Sequence, residues 1–301
     1  MTPEILTFGE IIWDVYPDKK YIGGAGLNFA AHCAKCGAES YLFSAVGKDT
    51  LGEAVPDIAH SFGVQTELIK ALDKPTGTSV VTLDENGIPS YDLKTDVAYD
   101  NIEIDDDDLS RIRELKPDAL CFGTLIQRSE ISRASLRRLC REISFGEIIC
   151  DVNLRENCYD KDSVKLCLEN ATILKISDEE EPTLRKFGYY TPKNDTPEEI
   201  ASAVCESFPQ IKYLIITLGG KGAFVYCASE KRSFYKPSRK VTVESTVGAG
   251  DSFIAAWASA FLSGSTPEKA TKRAVNLSGY VVSRSAAIPD YTFEGDTLYE
   301  R

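Results

Sequence analysis

The chain is short of everything that would place it in a membrane. No apolar run approaches the ~20 residues needed to cross a bilayer, and Met1-Thr2-Pro3-Glu4 lacks the basic start and apolar stretch of a secretory leader. It is also short of positive charge: 34 Lys and Arg stand against 46 Asp and Glu, a net charge of −12. A nucleic-acid-binding surface needs clustered Lys and Arg, so neither nucleic acid nor membrane is an expected partner. Nine cysteines show no framework spacing. Cys33-x-x-Cys36 has no second pair to complete a zinc site, and in a helix-like run (Leu27 to Cys36) it reads as small apolar packing. A reduced, cytoplasmic protein is expected. Internal repeats and low-complexity segments are absent. What is present is 301 residues with 43% apolar content, enough for one large α/β domain or one domain with an appendage.

Apolar strand-like runs alternate with helix-like ones over most of the chain, from Glu4–Phe8 through Ser40–Val46, Asp118–Phe122, Glu147–Asn153 and Ala171–Ile176 to Tyr213–Tyr226. That alternation predicts a mostly parallel central sheet covered by helices on both faces, an α/β three-layer sandwich. A helix is predicted from about Leu51 to Phe62, with Pro56 inside it. One stretch breaks the pattern: Thr78–Leu83 and Ile88–Leu93 flank Asn86-Gly87 with no helix between them, a hairpin signature. It predicts a small separate β-sheet lid. The division expected is a core of 1–14, 24–75 and 100–301, and a lid of 15–23 and 76–99.

Ser245-Thr246-Val247-Gly248-Ala249-Gly250-Asp251-Ser252-Phe253 joins a strand-like run, Lys240–Val243, to a helix-like one from Ile254. The glycines permit close backbone approach, and the N–H groups of Gly248, Ala249 and Gly250 can gather at the positive end of the helix dipole. That suits an anion. Asp251 beside it reads either as a helix cap or as a base for phosphoryl transfer to a hydroxyl. Phe253 stands where a dinucleotide fingerprint needs a small residue, which disfavours an oxidoreductase, and no Gly-Lys-Ser/Thr follows, so this is not a Walker loop. Two other glycine turns stand out. Gly23-Gly24-Ala25-Gly26-Leu27-Asn28 lacks a basic residue and fits a neutral polyol, with Asp14 as a further polar candidate. Thr217-Leu218-Gly219-Gly220-Lys221-Gly222 suits close approach of nucleotide phosphates or a plain hairpin. Asp151, Asn153 and Arg155 fall where a strand ends, the edge where open α/β sheets bind ligands.

In this order, Gly23 to Ala30, Gly37-Ala38, Val46-Gly47-Lys48-Asp49, Thr217-Leu218-Gly219 and Thr246 to Phe253 resemble the ribokinase-like, PfkB-type carbohydrate kinases over nearly the whole chain. The resemblance implies an ATP-dependent kinase acting on a hydroxymethyl group of a sugar or nucleoside, with Mg2+ as cofactor. It implies Asp251 as base; Gly248, Ala249 and Gly250 as anion hole; and Asp14, Gly24, Asn28, Tyr91, Asn153 and Arg155 toward the sugar. Lys175, Ser177, Thr217, Gly219, Gly222 and Asn276 would lie along the nucleotide. Glu180 would order Mg2+ through water. A homodimer through the lid is a further expectation. Within the family, Asp151 to Arg155, Pro89 to Leu93 and Val97 to Asp100 look like fructokinase segments. A 2-dehydro-3-deoxygluconate kinase, or a sugar-sensing protein on this fold that has lost activity, are the alternatives. Two positions depart from the family pattern. Ser245 replaces an acid that with Val247 would face a monovalent cation, which puts K+ in doubt, and Ser177-x-x-Glu180 replaces Asn-x-x-Glu.

Overall fold

The structure is a computed structural model that describes residues 2–83, 89–294 and 297–300, with backbone alone at 81–83, 89–91, 294 and 300. In chain order its strands are β1 (Glu4–Phe8), β2 (Ile12–Val15), β3 (Lys20–Gly23), β4 (Glu39–Gly47), β5 (Val64–Gln65), β6 (Ile69–Leu72), β7 (Thr78–Leu83), β8 (Pro89–Leu93), β9 (Ala119–Phe122), β10 (Glu147–Asp151), β11 (Ile173–Ser177), β12 (Tyr213–Thr217), β13 (Gly222–Cys227), β14 (Arg232–Pro237), β15 (Tyr291–Glu294) and β16 (Thr297–Glu300). Ten of them form the central sheet, in the order β14-β13-β12-β11-β10-β9-β1-β4-β5 with β6 also on β4. Pairing is parallel between β9, β10, β11 and β12, as it is from β1 to both β4 and β9, and β13 and β14 close one edge antiparallel.

Side chains alternate between the faces of a strand, so a sheet covered on both sides needs strands apolar at every position. Leu6, Leu120, Cys150, Leu174 and Leu214 enter one core cluster, which includes residues of helices Asp106–Leu115, Glu130–Glu142, Lys161–Asn170 and Pro197–Ser207. Their neighbours Ile5, Cys121, Ile149, Ile173 and Ile215 enter the other, with residues of helices Ala25–Lys35, Ala249–Leu262 and Pro267–Val281. The three-layer sandwich expected from the alternation is the fold observed. From β1 the chain turns one way to β4 and later the other way to β9. The reversal leaves a crevice beyond the carboxyl ends of β1 and β9, the place where such sheets bind ligands.

The hairpin strands β7 and β8 pair antiparallel and join β2 and β3 in a separate sheet of order β3-β2-β7-β8; the Asn86-Gly87 turn lies outside the described residues. Three expectations shift. The core boundary at residue 14 falls inside β2, because Asp14 sits in register with Tyr21 on one side and Ser79 on the other, so Ile12–Val15 belongs to the small sheet. Lys240–Val243 is not a strand: Val241 and Val243 are exposed, and β14 fills the edge it would have taken by pairing with six consecutive residues of β13. The helix predicted over 51–62 is two, Thr50–Glu53 and Val55–Ser61, with Pro56 in the first turn of the second, where its missing N–H costs nothing.

Helix Ala25–Lys35 meets the end of β1 backbone to backbone. A Cβ on Gly26 would lie 2.6 Å from Gly9 Cα, and one on Gly9 would lie 2.6 Å from Gly26 Cα. Neither wall is a side chain that can move aside. Gly26→Ala is expected to lower stability by about 1–3 kcal/mol, read as a lower urea midpoint with an unchanged denaturant slope; an unchanged midpoint would show that the helix can slide off the strand without loss.

Candidate active site

Two cavities meet at the turn Thr246 to Asp251. One, of about 430 Å³, opens between the strand ends and the small sheet and takes Asp14, Gly24, Asn28, Asn153, Arg155 and Asp251 into its wall. The other, of about 630 Å³, lies over the ends of β11 and β12 against helix Pro267–Val281, with Ser177, Thr217, Gly219 and Gly222 in its wall. Thr246 and Gly250 line both.

Gly248 caps helix Ala249–Leu262 at φ 79° and contributes no side-chain hydrogen bond. A Cβ there would lie 2.7 Å from the Ala287 carbonyl oxygen, so only glycine makes this turn. The first-turn amides thus face the junction of the cavities at the positive end of a fourteen-residue helix. One of the three expected donors is spoken for in part, since the Ala249 N–H points back to the Thr246 carbonyl at 3.3 Å.

Asp251 is buried in that first turn and accepts from Asn28 Nδ2 at 2.8 Å, across 223 residues of sequence. It is not an N-cap: Gly248 holds that position. Burial raises its carboxyl above the ordinary aspartate value, against the Asn28 hydrogen bond and the charges of Arg155 and Lys175. Asn28 Oδ1 is buried and unpartnered on the protein side, as is Ser79 Oγ on β7. Both residues line the small-sheet cavity, so each brings an unused polar atom to a ligand there. Asp14 is half-buried, raised by burial and partly restored by Arg155.

Beneath Gly250, Lys175 Nζ donates to Asp151 Oδ1 at 2.7 Å, with both side chains almost wholly buried. The two ends of this pair behave differently for a physical reason. Burial pushes Asp151 up to about 6, and a single cation competes with the repulsion of Glu180 and Asp251. Burial would pull Lys175 down, but Asp151, Glu180 and Asp251 together hold it above its ordinary value.

Several expected residues sit elsewhere than the sequence implied. Lys175 lines the small-sheet cavity rather than the one over β12, because a buried ammonium must pair with a carboxylate and Asp151 is there. Helix Pro267–Val281 faces the larger cavity with Val275, Ser278 and Gly279, not with Asn276. Glu180 spends its two oxygens on the backbone N–H groups of Leu154 and Ser177, 2.7 Å each, tying β10 to β11, while its neighbours Asp178 and Glu179 line the cavity. Ser245 Oγ accepts from the Val247 N–H at 3.2 Å, within its own loop; Val247 is half exposed. The side chain of Tyr91 lies outside the described residues, although its backbone is part of β8. Sequence reasoning missed Glu10 and Ser79. Glu10 lies two residues beyond the end of β1, so the strand-end rule that flagged Asp151 would have found it.

The profile of the pfkB family of carbohydrate kinases matches residues 2–292. The chain belongs to that family. An uncharacterized sugar kinase of Pyrococcus horikoshii is 30% identical over 251 residues, 81% of this chain and 74% of that one. Its crystal structure superposes with a TM-score of 0.78 over 94% of this chain and 93% of that one. An ATP-dependent 6-phosphofructokinase of Thermoanaerobacterium thermosaccharolyticum is 26% identical over 305 residues, 95% of this chain and 90% of that one. A provisionally assigned ribokinase II of E. coli, solved with ATP and Mg2+, shares the fold at a TM-score of 0.82 and 21% identity, covering 95% and 94% of the two chains. The family activity makes this a carbohydrate kinase. Among the described residues no helix is long and apolar enough to cross a membrane.

Lys175→Met leaves Asp151 buried without its cation, an expected loss of about 3–5 kcal/mol. Because the folded-state value of Asp151 lies above that of the unfolded chain, the cost attaches to its ionised form. Without Lys175 the carboxyl rises further above its value of about 6 in the intact pair, so the loss is larger at pH 8 than at pH 5, where Asp151 is protonated with or without the lysine. Denaturation at pH 5 and pH 8 checks this; an equal loss at both would mean the pair is not the cause.

Proposed function

We propose that the protein transfers the γ-phosphoryl group of ATP to a primary hydroxyl of a neutral ketose, fructose first among them, with Asp251 as general base. The observation that carries this reading is the position of Asp251, a buried carboxylate where two cavities meet at a helix N-terminus. A hydroxyl is a poor nucleophile at neutral pH, so a carboxylate must take its proton as the P–O bond forms. The raised Asp251 makes a better base than a solvated aspartate. The acceptor sugar belongs in the cavity with Asp14, Asn28, Ser79 and Arg155, and the nucleotide in the one with Thr217, Gly219 and Gly222. The first-turn amides of helix Ala249–Leu262 would stabilise charge on the phosphoryl group in transit. The small sheet would act as a lid that keeps water from the phosphoryl group.

The charge of the acceptor cavity favours a neutral sugar. Glu10, Asp14, Asp151 and Asp251 line it against Lys175 and Arg155, and Lys175 is already paired. A sugar acid or sugar phosphate would have Arg155 alone to meet its charge, which makes a 2-dehydro-3-deoxygluconate kinase the second reading. Among the described residues no three metal-ligating side chains converge. That suits Mg2+, which arrives with phosphates and waters and asks one or two carboxylates of the protein. Asp178 and Glu179 are the acids that would meet it, with Glu180 reaching it only from behind. Bound, it would neutralise charge between the β- and γ-phosphates. Ser245 offers no carboxylate to a monovalent cation, so K+ is not expected to be required.

Release of ADP across a panel of fructose, other ketoses, sugar acids and nucleosides tests the substrate class; release with none of them would favour the sugar-sensing alternative. Asp251→Asn is expected to bind sugar nearly as before and to lower kcat by at least about 100-fold, and near-normal turnover would remove Asp251 from the role. Asp14→Ala should weaken sugar binding far more than ATP binding in calorimetry. Equal losses for both ligands would point to a folding defect.

A further inference from the structure

Behind Asp251, at the reversal of the sheet between β1 and β9, lies a chamber of about 30 Å³ that shares Glu10, Asp151, Asn153 and Asp251 with the acceptor cavity. That is room for a water or two. Thr7, Glu10, Asp151 and Asp251 stand in its wall. Thr7 is 1% exposed, and its Oγ1 has no partner in the protein. A buried hydroxyl left unpaired is costly, and one that borders a cavity of this size calls for a water. Glu10 is 3% exposed, and its Oε1 accepts from the Ala25 N–H at 2.8 Å, at the start of the helix that carries Asn28. Its own N–H and that of Gly26 also favour the carboxylate, and the side chain joins the wall of the acceptor cavity as well as that of the chamber.

We propose that Glu10 is a second functional carboxylate, joined to Asp251 through a water that Thr7 holds in this chamber, and that the two share the proton taken from the sugar hydroxyl. The inference rests on the phosphoryl-transfer reading. The step balances: the hydroxyl proton passes to Asp251 as the P–O bond forms, Asp251 donates to the water, and the water donates to Glu10. Asp251 is again a carboxylate, Glu10 is neutral, and the proton leaves through the acceptor cavity when product departs.

The charges around the pair are consistent with this sharing. Burial raises Glu10, against its own N–H, the Ala25 amide, the charge of Arg155 and the Gly26 amide. Burial raises Asp251, against Asn28, Arg155 and Lys175, and the charge of Glu10 raises it further. The other titratable groups near Glu10 are Asp151, Cys121 on β9 and the buried Tyr99. Two carboxylates joined through one water would titrate as a pair.

Glu10→Gln decides the matter, since glutamine keeps an oxygen for the Ala25 N–H and nearly the same volume. Infrared titration of the carboxyl groups in ligand-free protein is expected to show Asp251 taking up its proton about one pH unit lower in this variant, and kcat at pH 7.5 about three- to tenfold lower. An unmoved Asp251 in a folded variant would reduce Glu10 to a helix cap and overturn the proposal. Should Glu10→Gln not fold, Thr7→Val serves: it removes the hydroxyl that holds the water and touches neither substrate cavity. It is expected to lower kcat about threefold or more with sugar affinity unchanged, and an unaltered kcat would overturn the proposal equally. The ligand-free titration judges the carboxyl pair whether or not a sugar is phosphorylated. Failure of the kinase reading appears separately, as absence of ADP release across the sugar panel.

Discussion

Three carboxylates, Glu10, Asp151 and Asp251, are buried at one edge of the sheet, and the surrounding structure exists largely to make that tolerable. An ion taken out of water costs several kcal/mol unless hydrogen bonds and opposite charge replace the solvent. Each acid has its own compensation. Glu10 takes a helix-terminal N–H, Asp151 takes Lys175, and Asp251 takes the amide of Asn28 at the positive end of a helix. None is fully compensated, since burial leaves all three raised.

The balance depends on backbones approaching where side chains cannot. Gly9 and Gly26 let helix Ala25–Lys35 lie on the end of β1, which delivers the Ala25 N–H to Glu10 and Asn28 to Asp251. Gly250 leaves a space that Lys175 Nζ enters; a Cβ there would lie 3.2 Å from it. Packing and chemistry are therefore one problem at this edge. The same glycines that permit the anion-facing turn permit the ion pair beneath it, and the small sheet closes over the result with Asp14 and Ser79 on its inner strands.

Much of this was legible in the residues. Apolar strand runs alternating with helices point to a covered, mostly parallel sheet, because helical crossovers between parallel strands lie on its faces. The glycine turns and their acids marked the strand-end edge, and Asp251 was visible as either cap or base. Other features were not legible. Val241 and Val243 look like strand residues, but an edge has only so many ladder positions and β14 occupies them. Asn276 does not line the larger cavity although its neighbour Val275 does, a difference of about a third of a turn that no spacing argument settles.

What the sequence by itself determined is the layer order, the family and the identity of the glycine turn that carries Asp251, all of which follow from local pattern. Only the tertiary structure decided what Asp251 faces. Its partner Asn28 is 223 residues away, the ion pair below it spans 24, and Glu10 lies across the chamber from it. A side chain's proton affinity is set by burial and by the charges within a few ångströms, and those neighbours are chosen by the fold rather than by adjacency in the chain. For that reason the sequence could name the acid while leaving cap or base open, and the placement of Gly248 at the cap, with Asp251 buried behind it, removes the cap reading.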